Sequence, residues 1–497
     1  MSPKFNELLA LLNTVHDLEA AAELLQWDQE VNMPDAATES RARQVATLSR
    51  AAHEQFTSEQ VGDLLHCVEV PPNSWQADLI RVAREDHERA RRIPAALVSR
   101  LAIASGRAKA AWRQARQDDD YARFAPHLET IIALCIEKAH AIGFKEHPYD
   151  ALLDEYEPGM TTAQVRDLFG SLRNDLVPIV KAIAARPAVT DSFLRTTTDT
   201  TAQWDFGMGL LRRIGYDLSR GRQDTSAHPF STSFSVHDVR ITTRLHANNL
   251  CSGLFSTLHE AGHGMYEQGV DPKLEGTLLA RGTSLGMHES QSRLWENQIG
   301  RSLPFWRGFY PDLQRAFPQA LDQVPLNAFY QAINKVTASP IRVEADEVTY
   351  NLHIMLRFEI EQLLVEQKVG AAELPDLWRT KMREYLGINI NSDTDGVLQD
   401  IHWSLGAIGY YPTYALGNLM SAQIFACAKE AIPDFDDNIA RGIFGPLGAW
   451  LTSNIHQWGR TRTASQIVQT VTGGAVSTRP WLAYIRQKYG GIYGGLP

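Results

Sequence analysis

The sequence predicts a mainly α-helical fold, organised as a single large body over residues 1–497 with one small β-sheet. Apolar residues recur at three- and four-residue steps along most of the chain, which is the spacing of amphipathic helices. Only residues 228–245 alternate apolar and polar side chains as a strand does. No internal repeat or low-complexity linker separates these segments, so one continuous helical body is the most economical interpretation.

The predicted helices follow one another from the N-terminus. Residues 5–30 place Phe5, Leu8 and Leu12 on one face of a helix, and residues 75–116 form a second long segment that Pro94 interrupts. The remaining predicted helices are 161–186, 205–215, 247–268, 289–299, 344–368 and 414–430.

The predicted strands lie directly before the most informative helix. Residues 228–245 read HPFSTSFSVHDVRITTRL and are rich in serine, threonine and β-branched residues. Phe234 and Val236, and then Val239 and Ile241, alternate with polar residues. We therefore expect two short strands with a turn near His237–Asp238.

The charge balance argues against nucleic-acid or membrane partners. The chain has 48 Lys and Arg against 58 Asp and Glu, a net charge of −10, whereas binding to phosphates needs a basic excess. No apolar run approaches the roughly 18–20 residues needed to span a bilayer.

Cysteine usage and the N-terminus predict a reducing, cytoplasmic location. Four cysteines without a close pair make neither a disulfide framework nor a thiolate metal site. The apolar cluster Leu8–Leu12 is short and is flanked by Glu7 and Asp17, where a secretion signal has basic residues and a cleavage site.

An HExxH motif occupies residues 259–263. His259 and His263 are separated by about one helical turn, so both imidazoles can reach one cation. Glu260 can act on a water molecule without binding the metal itself. A catalytic zinc ion needs three protein ligands and one open position.

Two surface histidines on a helix are the alternative, because the bare motif also occurs by chance. The flanking residues Leu254, Phe255 and Leu258 are apolar, which indicates a buried helix. A buried group of histidines and a glutamate needs a polar partner, and a metal is the simplest one.

The third ligand has to come from outside the motif. A metzincin would have a histidine at position 269, where this chain has Gly269. Glu289 lies 289 − 263 = 26 residues beyond His263, enough for a connection and a returning helix. Glu267 and Glu275 remain alternatives. Glu267, however, would lie one turn further along the same helix and away from the ion, and Glu275 lies in a predicted loop. We favour Glu289.

Four further clusters carry more polar chemistry than a core requires. They are His228–Phe230, Asp238–Thr242, Ile341–Asp346 and the stretch Gly396–Trp403 with Gly409–Tyr414. Each cluster alone is equally compatible with ion pairs or helix caps, such as a pair between Asp238 and Arg240.

Taken with the HExxH motif, these clusters closely resemble the carboxypeptidase Taq family. The shared motifs are HPF, DxRxT, HExxH, HESQ, IRxEAD, GxxQDxHW and GYxPTY, in this order and at similar spacings. The resemblance extends to His147–Met160 and to Lys488-Tyr489, so it covers nearly the whole chain.

The resemblance implies a helical fold like that of neurolysin and angiotensin-converting enzyme, divided by a deep active-site groove. The small sheet would lie beside the zinc helix, and the helices in roughly residues 1–120 would form part of the groove wall or a lid. It further implies a homodimer that removes single C-terminal residues from peptides with broad specificity. Zinc is the expected cofactor, and cobalt can substitute for it.

The resemblance also assigns roles to individual residues. It implies that His259, His263 and Glu289 bind the metal and that Glu260 is the general base. Hydrogen bonds to the oxyanion would come from His402, from Tyr410 or Tyr414, and from His228 on the sheet side. The family commonly has Phe where this chain has Tyr411, and the choice between the other two tyrosines stays open.

Arg342 is the predicted anchor for the C-terminal carboxylate of the substrate. A guanidinium is permanently charged and binds a carboxylate through two parallel hydrogen bonds. Arg342 matches the arginine of the IRxEAD motif, although pairing with Glu344 or Asp346 is an alternative, and Arg240 is a rival anchor.

Two other functions remain as alternatives. An HExxH oligopeptidase or endopeptidase on the same scaffold would leave internal fragments. A metal-stabilised binding protein without turnover would have no use for an unliganded base, and Glu260 argues against it.

Overall fold

The computed structural model describes residues 2–497, and helices dominate this range. The helices of the first half are α1 (Pro3–Val31), α2 (Thr38–Phe56), α3 (Glu59–Cys67), α4 (Trp75–Arg92), α5 (Ala95–Asp118), α6 (Tyr121–Ile142), α7 (Pro148–Leu153), α8 (Thr162–Ala184), α9 (Thr200–Ile214) and α10 (Leu250–Gln268). Those of the second half are α11 (Leu285–Arg293), α12 (Leu303–Ala316), α13 (Pro318–Leu321), α14 (Leu326–Ile333), α15 (Tyr350–Val365), α16 (Leu374–Leu386), α17 (Pro412–Ala431), α18 (Phe435–Ala440), α19 (Gly445–Asn454), α20 (Ala464–Thr472) and α21 (Arg479–Tyr493).

The predicted mainly helical class is confirmed, and each predicted helical segment contains a helix. The break expected at Pro94 separates α4 from α5, and Pro94 itself is the N-cap of α5. The segment predicted over 289–299 is α11 followed without interruption by a π-helix at Leu294–Ile299. The segment predicted over 344–368 becomes a regular helix only at Tyr350, after a short 3-10 turn at Arg342–Glu344 and the non-helical residues 345–349.

The sheet has three strands in the order β1 (Gly221–Thr225), β3 (Asp238–Thr243), β2 (Ser231–Ser235). β2 and β3 are the predicted antiparallel pair, with Thr232 opposite Arg240. β1 was not predicted, and it pairs with β3 in parallel. Within the part of the chain that the structure describes, β2 is therefore an edge strand with a partner on one side only.

The sheet packs directly against α10. The Thr243 hydroxyl lies 2.8 Å from that of Ser256, and an added Cβ at Gly264 would approach Ile241 Cγ2 to 3.2 Å. Helices α10, α11, α15 and α17 bury most of their residues, including fully buried polar ones. Polar groups buried at the centre of a helical core need specific partners, so this region is where a site is expected.

A second apolar cluster lies at the N-terminal end. It joins buried side chains of α1, α3 and α4 to Val236 and to residues 270–280 beyond α10. Among residues 2–497, no helix is both long and apolar enough to cross a membrane.

Candidate active site

Helix α10 holds the two histidines of the HExxH motif. Its first turn is capped by Asn249, whose side chain accepts a hydrogen bond from the Ser252 amide at 3.2 Å. Two turns later the ring centroids of His259 and His263 lie 4.9 Å apart at 81°. The four-residue spacing therefore brings both imidazoles to one side of α10, as predicted.

Glu289 joins the two histidines from α11. Its Oε2 lies 3.6 Å from His259 Nε2 and 3.5 Å from His263 Nε2. One potential ligand atom from each of the three side chains lies within 4.8 Å of the other two. Of the two rival carboxylates, Glu275 accepts a hydrogen bond from the Val236 amide, and Glu267 lies against His288 instead.

Two glycines allow the neighbouring helices to lie this close to α11 and Glu289. An added Cβ at Gly262 would lie 2.6 Å from both Gln291 O and Ser292 Cα, so only glycine lets α10 pass this close to the α11 backbone. An added Cβ at Gly417 would lie 2.7 Å from the Glu289 side chain. The position of Glu289 is thus fixed from two sides by close backbone packing.

The donor atoms fit a divalent metal ion. Two imidazole nitrogens and one carboxylate oxygen are a common donor set of catalytic zinc sites. Their separations exceed those of ordinary hydrogen bonds, as expected for groups that share a cation instead of bonding each other. Within residues 2–497 this is the one group of three or more histidine, cysteine or acidic side chains with that convergence.

Charged side chains contact the candidate ligands on the side away from their shared position. Glu296 Oε2 lies 2.9 Å from His259 Nδ1, and Arg293 Nε donates to Glu289 Oε1 at 2.7 Å. Arg301 donates to the other oxygen of Glu296 at 3.2 Å. Although burial opposes ionisation, the His259 hydrogen bond and the charge of Arg293 hold the pKa of Glu296 well below its usual range. These contacts leave Nε2 of His259 facing the candidate metal position.

Glu260 lies next to the first histidine and is 6% exposed. Burial raises its pKa to about 7, against the opposing effect of His259 and with the support of the Glu289 carboxylate. A carboxylate with a pKa near neutrality can both accept and return a proton.

His402, Tyr410 and Tyr414 form one aromatic cluster. His402 Nε2 lies 3.3 Å from the Tyr414 hydroxyl, and the Tyr410 ring centroid is 5.3 Å from both other rings. Burial lowers the pKa of His402 to about 4, so its ring is neutral at pH 7. Burial and the nearby Glu289 carboxylate raise the pKa of Tyr410, which connects this cluster to the candidate metal ligands.

Arg342 is buried beside the same cluster, with an exposed fraction of 6%. Its Nε and Nη2 donate to Asp400 Oδ1 at 3.1 and 2.8 Å, and its Nη1 donates to the Tyr350 hydroxyl at 2.9 Å. Its guanidinium carbon lies 5.1 Å from the Tyr414 ring centroid. The ion-pair partner is thus Asp400, and the alternative of pairing with Glu344 or Asp346 is not observed. Asp400 also accepts from Arg357.

His228 and Arg240 belong to the sheet region. His228 is exposed in the connection from β1 to β2, and no hydrogen bond within residues 2–497 joins its imidazole to the other candidate residues. Arg240 forms the expected pair with Asp238, through two hydrogen bonds of 2.8 Å, and its guanidinium lies 4.4 Å from the Trp27 ring centroid. The rival anchor is therefore already engaged, by Asp238 at the edge of its guanidinium and by the Trp27 ring on a face.

A groove of about 730 Å³ is lined by residues of β2, of α1 and of the segments around α10 and α11, but by none of the three candidate metal ligands. The edge strand β2 lines one wall through Ser231, Thr232 and Ser233, and helix α1 lines another through residues that include Trp27. His288, which contacts the candidate ligand His263, is one of its lining residues. An extended chain in this groove would run along an unpaired strand edge.

The sequence interpretation missed several supporting residues. His288, Glu296, Tyr350 and Asp400 were not assigned roles, although each contacts a candidate site residue. A helical signal existed for Glu296, since it follows Glu289 by seven residues and so lies on the same face. Asp400 contacts Arg342 across 58 residues of sequence, and no local spacing predicts such a pair.

Several known proteins are similar to this chain over nearly its whole length. The family model "Carboxypeptidase Taq (M32) metallopeptidase" matches residues 7–489. Thermostable carboxypeptidase 1 of Thermus thermophilus is 41% identical over 512 residues, covering 99% of this chain and 100% of that protein. Carboxypeptidase 1 of Bacillus subtilis is 36% identical over 491 residues, covering 98% of each chain. The crystal structure of the M32 carboxypeptidase from Deinococcus radiodurans R1 superposes with a TM-score of 0.97 at 40% identity, covering 99% of this chain and 100% of that one. The chain therefore belongs to the carboxypeptidase Taq family and is a metal-dependent carboxypeptidase.

Proposed function

We propose that this metallocarboxypeptidase uses zinc held by His259, His263 and Glu289, with Glu260 as its general base. Cobalt would bind the same donor set and substitute for zinc. The observation that carries the proposal is the convergence of the three ligand atoms within 4.8 Å beside a buried carboxylate. When bound, zinc polarises a peptide carbonyl and lowers the pKa of water toward neutrality.

Glu260 is the proton carrier in this proposal. Its carboxylate accepts a proton from the attacking water and returns it to the nitrogen of the leaving amino acid. The burial of Glu260 and its place next to His259 support this role. The low-dielectric surroundings also strengthen the hydrogen bonds that orient the water.

The aromatic cluster would stabilise the oxyanion that forms at the scissile carbonyl. A phenol donates a hydrogen bond while it stays neutral, and the raised pKa of Tyr410 keeps its hydroxyl protonated at pH 7. Tyr414 is the second candidate, and the neutral ring of His402 lies within 3.3 Å of its hydroxyl. His228 would contribute from the sheet side if the connection from β1 to β2 closes over the substrate.

Arg342 would bind the free α-carboxylate of the substrate. Three of its five N–H groups are directed to Asp400 and Tyr350, which leaves two for a carboxylate. Asp400 would orient the guanidinium in advance, which reduces the entropy lost on binding.

The substrate backbone would add to the free edge of β2, with α1 and the following N-terminal helices forming the opposite wall or lid. The lining of the groove by Ser231, Ser233 and Trp27 supports this arrangement. Small peptides with varied C-terminal residues are the proposed substrates, and a cytoplasmic homodimer is the proposed form. Sedimentation at micromolar concentration tests the dimer, and a particle of one chain's mass would contradict it.

Time-resolved mass spectrometry of one peptide and its C-terminally amidated twin tests the proposed activity. Sequential loss of single residues from the free acid, with little cleavage of the amide, is the expected result. Internal fragments from both peptides would favour the oligopeptidase alternative. Turnover that chelation abolishes and zinc restores would exclude a binding protein without activity.

A further inference from the structure

Behind His263 lies a chain of two further side chains. His263 Nδ1 is 2.6 Å from His288 Nδ1, and His288 Nε2 is 2.7 Å from Glu267 Oε1. The Gly282 amide donates to the same oxygen of Glu267 at 2.9 Å. This series of hydrogen-bonded side chains ends at the Glu267 carboxylate. An ionised carboxylate accepts hydrogen bonds and donates none.

The Glu267 carboxylate determines which ring nitrogens of His288 and His263 carry a proton. Because Glu267 accepts, the single proton of a neutral His288 must reside on Nε2, which leaves a lone pair on its Nδ1. His263 must then donate through Nδ1–H, and the lone pair on His263 Nε2 faces Glu289 and the candidate metal position. Each hydrogen bond in the chain therefore selects the tautomer of the next ring.

We propose that His288 and Glu267 are positioning residues that fix His263 in its metal-binding tautomer and orientation. This inference rests on the ligand set proposed above. His259 has a direct carboxylate partner in Glu296 at 2.9 Å, whereas His263 reaches its carboxylate through a second imidazole. The two ligands of the HExxH motif are thus supported in two different ways.

The residues around His288 and Glu267 hold this pair of side chains in place. The Tyr266 ring lies 5.1 Å from the His288 ring, and Glu267 is only 5% exposed. An added Cβ at Gly282 would lie 2.6 Å from His288 Cδ2 and 2.9 Å from Tyr266, so a larger residue would displace the imidazole. Gly282 therefore contributes both an amide donor and the space for the ring.

Two substitutions of His288 separate a hydrogen-bonding role from a purely structural one. His288→Phe keeps a planar ring against Tyr266 but removes both nitrogens. His288→Asn keeps an oxygen near the position of Nδ1, which can still accept from His263 Nδ1–H. Glu275→Gln is the matched control, because this carboxylate accepts from the Val236 amide outside the chain of side chains.

Zinc affinity of the metal-free variants is measured by competition with a chelating dye, which requires no turnover. We expect His288→Phe to bind zinc about 10- to 100-fold more weakly than wild type, the usual effect of losing an outer partner of a ligand. His288→Asn should remain within about threefold of wild type, as should the control. Wild-type affinity in His288→Phe, or equal losses in both His288 variants, would contradict the proposal.

A second pair of variants covers the case in which His288→Phe does not fold. Glu267→Gln keeps a carbonyl acceptor for His288 and should lose little affinity, whereas Glu267→Leu removes it and should lose about tenfold or more. Equal affinity in these two variants would contradict the proposal. If wild type itself failed to bind zinc stoichiometrically, the ligand set would be wrong, and that outcome is distinct from a failure of the positioning role.

Discussion

Arg342→Ala is expected to remove the preference for a free C-terminus. The arginine has two N–H groups left after its bonds to Asp400 and Tyr350, and a charged hydrogen bond contributes about 1.5–3 kcal/mol. The two bonds share one carboxylate and their contributions are not additive, so losing both costs roughly 2–4 kcal/mol in transition-state binding, or about 30- to 900-fold in kcat/KM. Amidated peptides make no such pair and should lose far less.

The variant should still fold, because Asp400 keeps its hydrogen bond from Arg357 Nε at 2.7 Å. Thermal denaturation checks this, and kcat/KM for a peptide and its amidated twin is the assay. Arg240→Ala is the matched control, since Arg240 also pairs with an aspartate but packs on Trp27. An equal loss on both peptides, or no loss on either, would assign Arg342 a structural role and favour the endopeptidase alternative.

Three further predictions follow from the packing and the buried charges. Glu289→Ala should weaken zinc binding by orders of magnitude, because one of three protein ligands is lost, while Glu275→Ala should bind normally; metal analysis after dialysis distinguishes them. Gly262→Ala should cost about 1–3 kcal/mol in stability and also weaken zinc binding, because its Cβ would lie 2.6 Å from backbone atoms of α11; normal thermal stability would contradict this. Burial raises the pKa of Glu361 to about 7, above 4.5 in the unfolded chain, so the carboxyl favours folding below pH 4.5 and this contribution is lost as the pH rises through 7. Wild type should therefore lose up to about 3 kcal/mol relative to Glu361→Gln between pH 4.5 and 8, and parallel stability profiles would refute the assignment.

The local patterns of the sequence predicted the helices well because their signal is short-range. The three- and four-residue periodicity located α1 and α10, and Pro94 predicted the break between α4 and α5. The strand pair β2 and β3 was predicted from alternation, which buries Val239 and Ile241. β1 was not predicted because its sequence GRQDT is polar and only Gln223 is buried, so the segment shows no alternation of apolar and polar residues.

The convergence at the centre of the site was also predictable. The spacing within HExxH is itself the geometry of one helical turn, and the interval to Glu289 allows a return on α11. What spacing could not provide was the set of partners behind these residues. His288 and Glu267 meet because Gly282 leaves room between two segments, and Arg342 finds Asp400 across 58 residues.

Arg342 also illustrates why a local interpretation fails in a crowded core. The sequence offers Glu344 and Asp346 as nearby partners, but the four hydrogen bonds that the Asp346 carboxylate accepts come from Thr337, Val348 and Thr349. Backbone amides and the Thr349 hydroxyl thus occupy the Asp346 carboxylate, and the buried guanidinium of Arg342 pairs with Asp400 instead. Such choices depend on which groups are desolvated together, and a linear pattern does not encode this.

Turnover by Glu260→Gln with its metal content verified is the most direct test of the central claim. Both imidazoles and Glu289 remain in this variant, so it should bind zinc stoichiometrically. Without a general base, kcat should fall by roughly two to four orders of magnitude for every free-acid peptide. A zinc-replete Glu260→Gln enzyme with near-normal kcat would contradict the account, because the proton would then have to be accepted by another group.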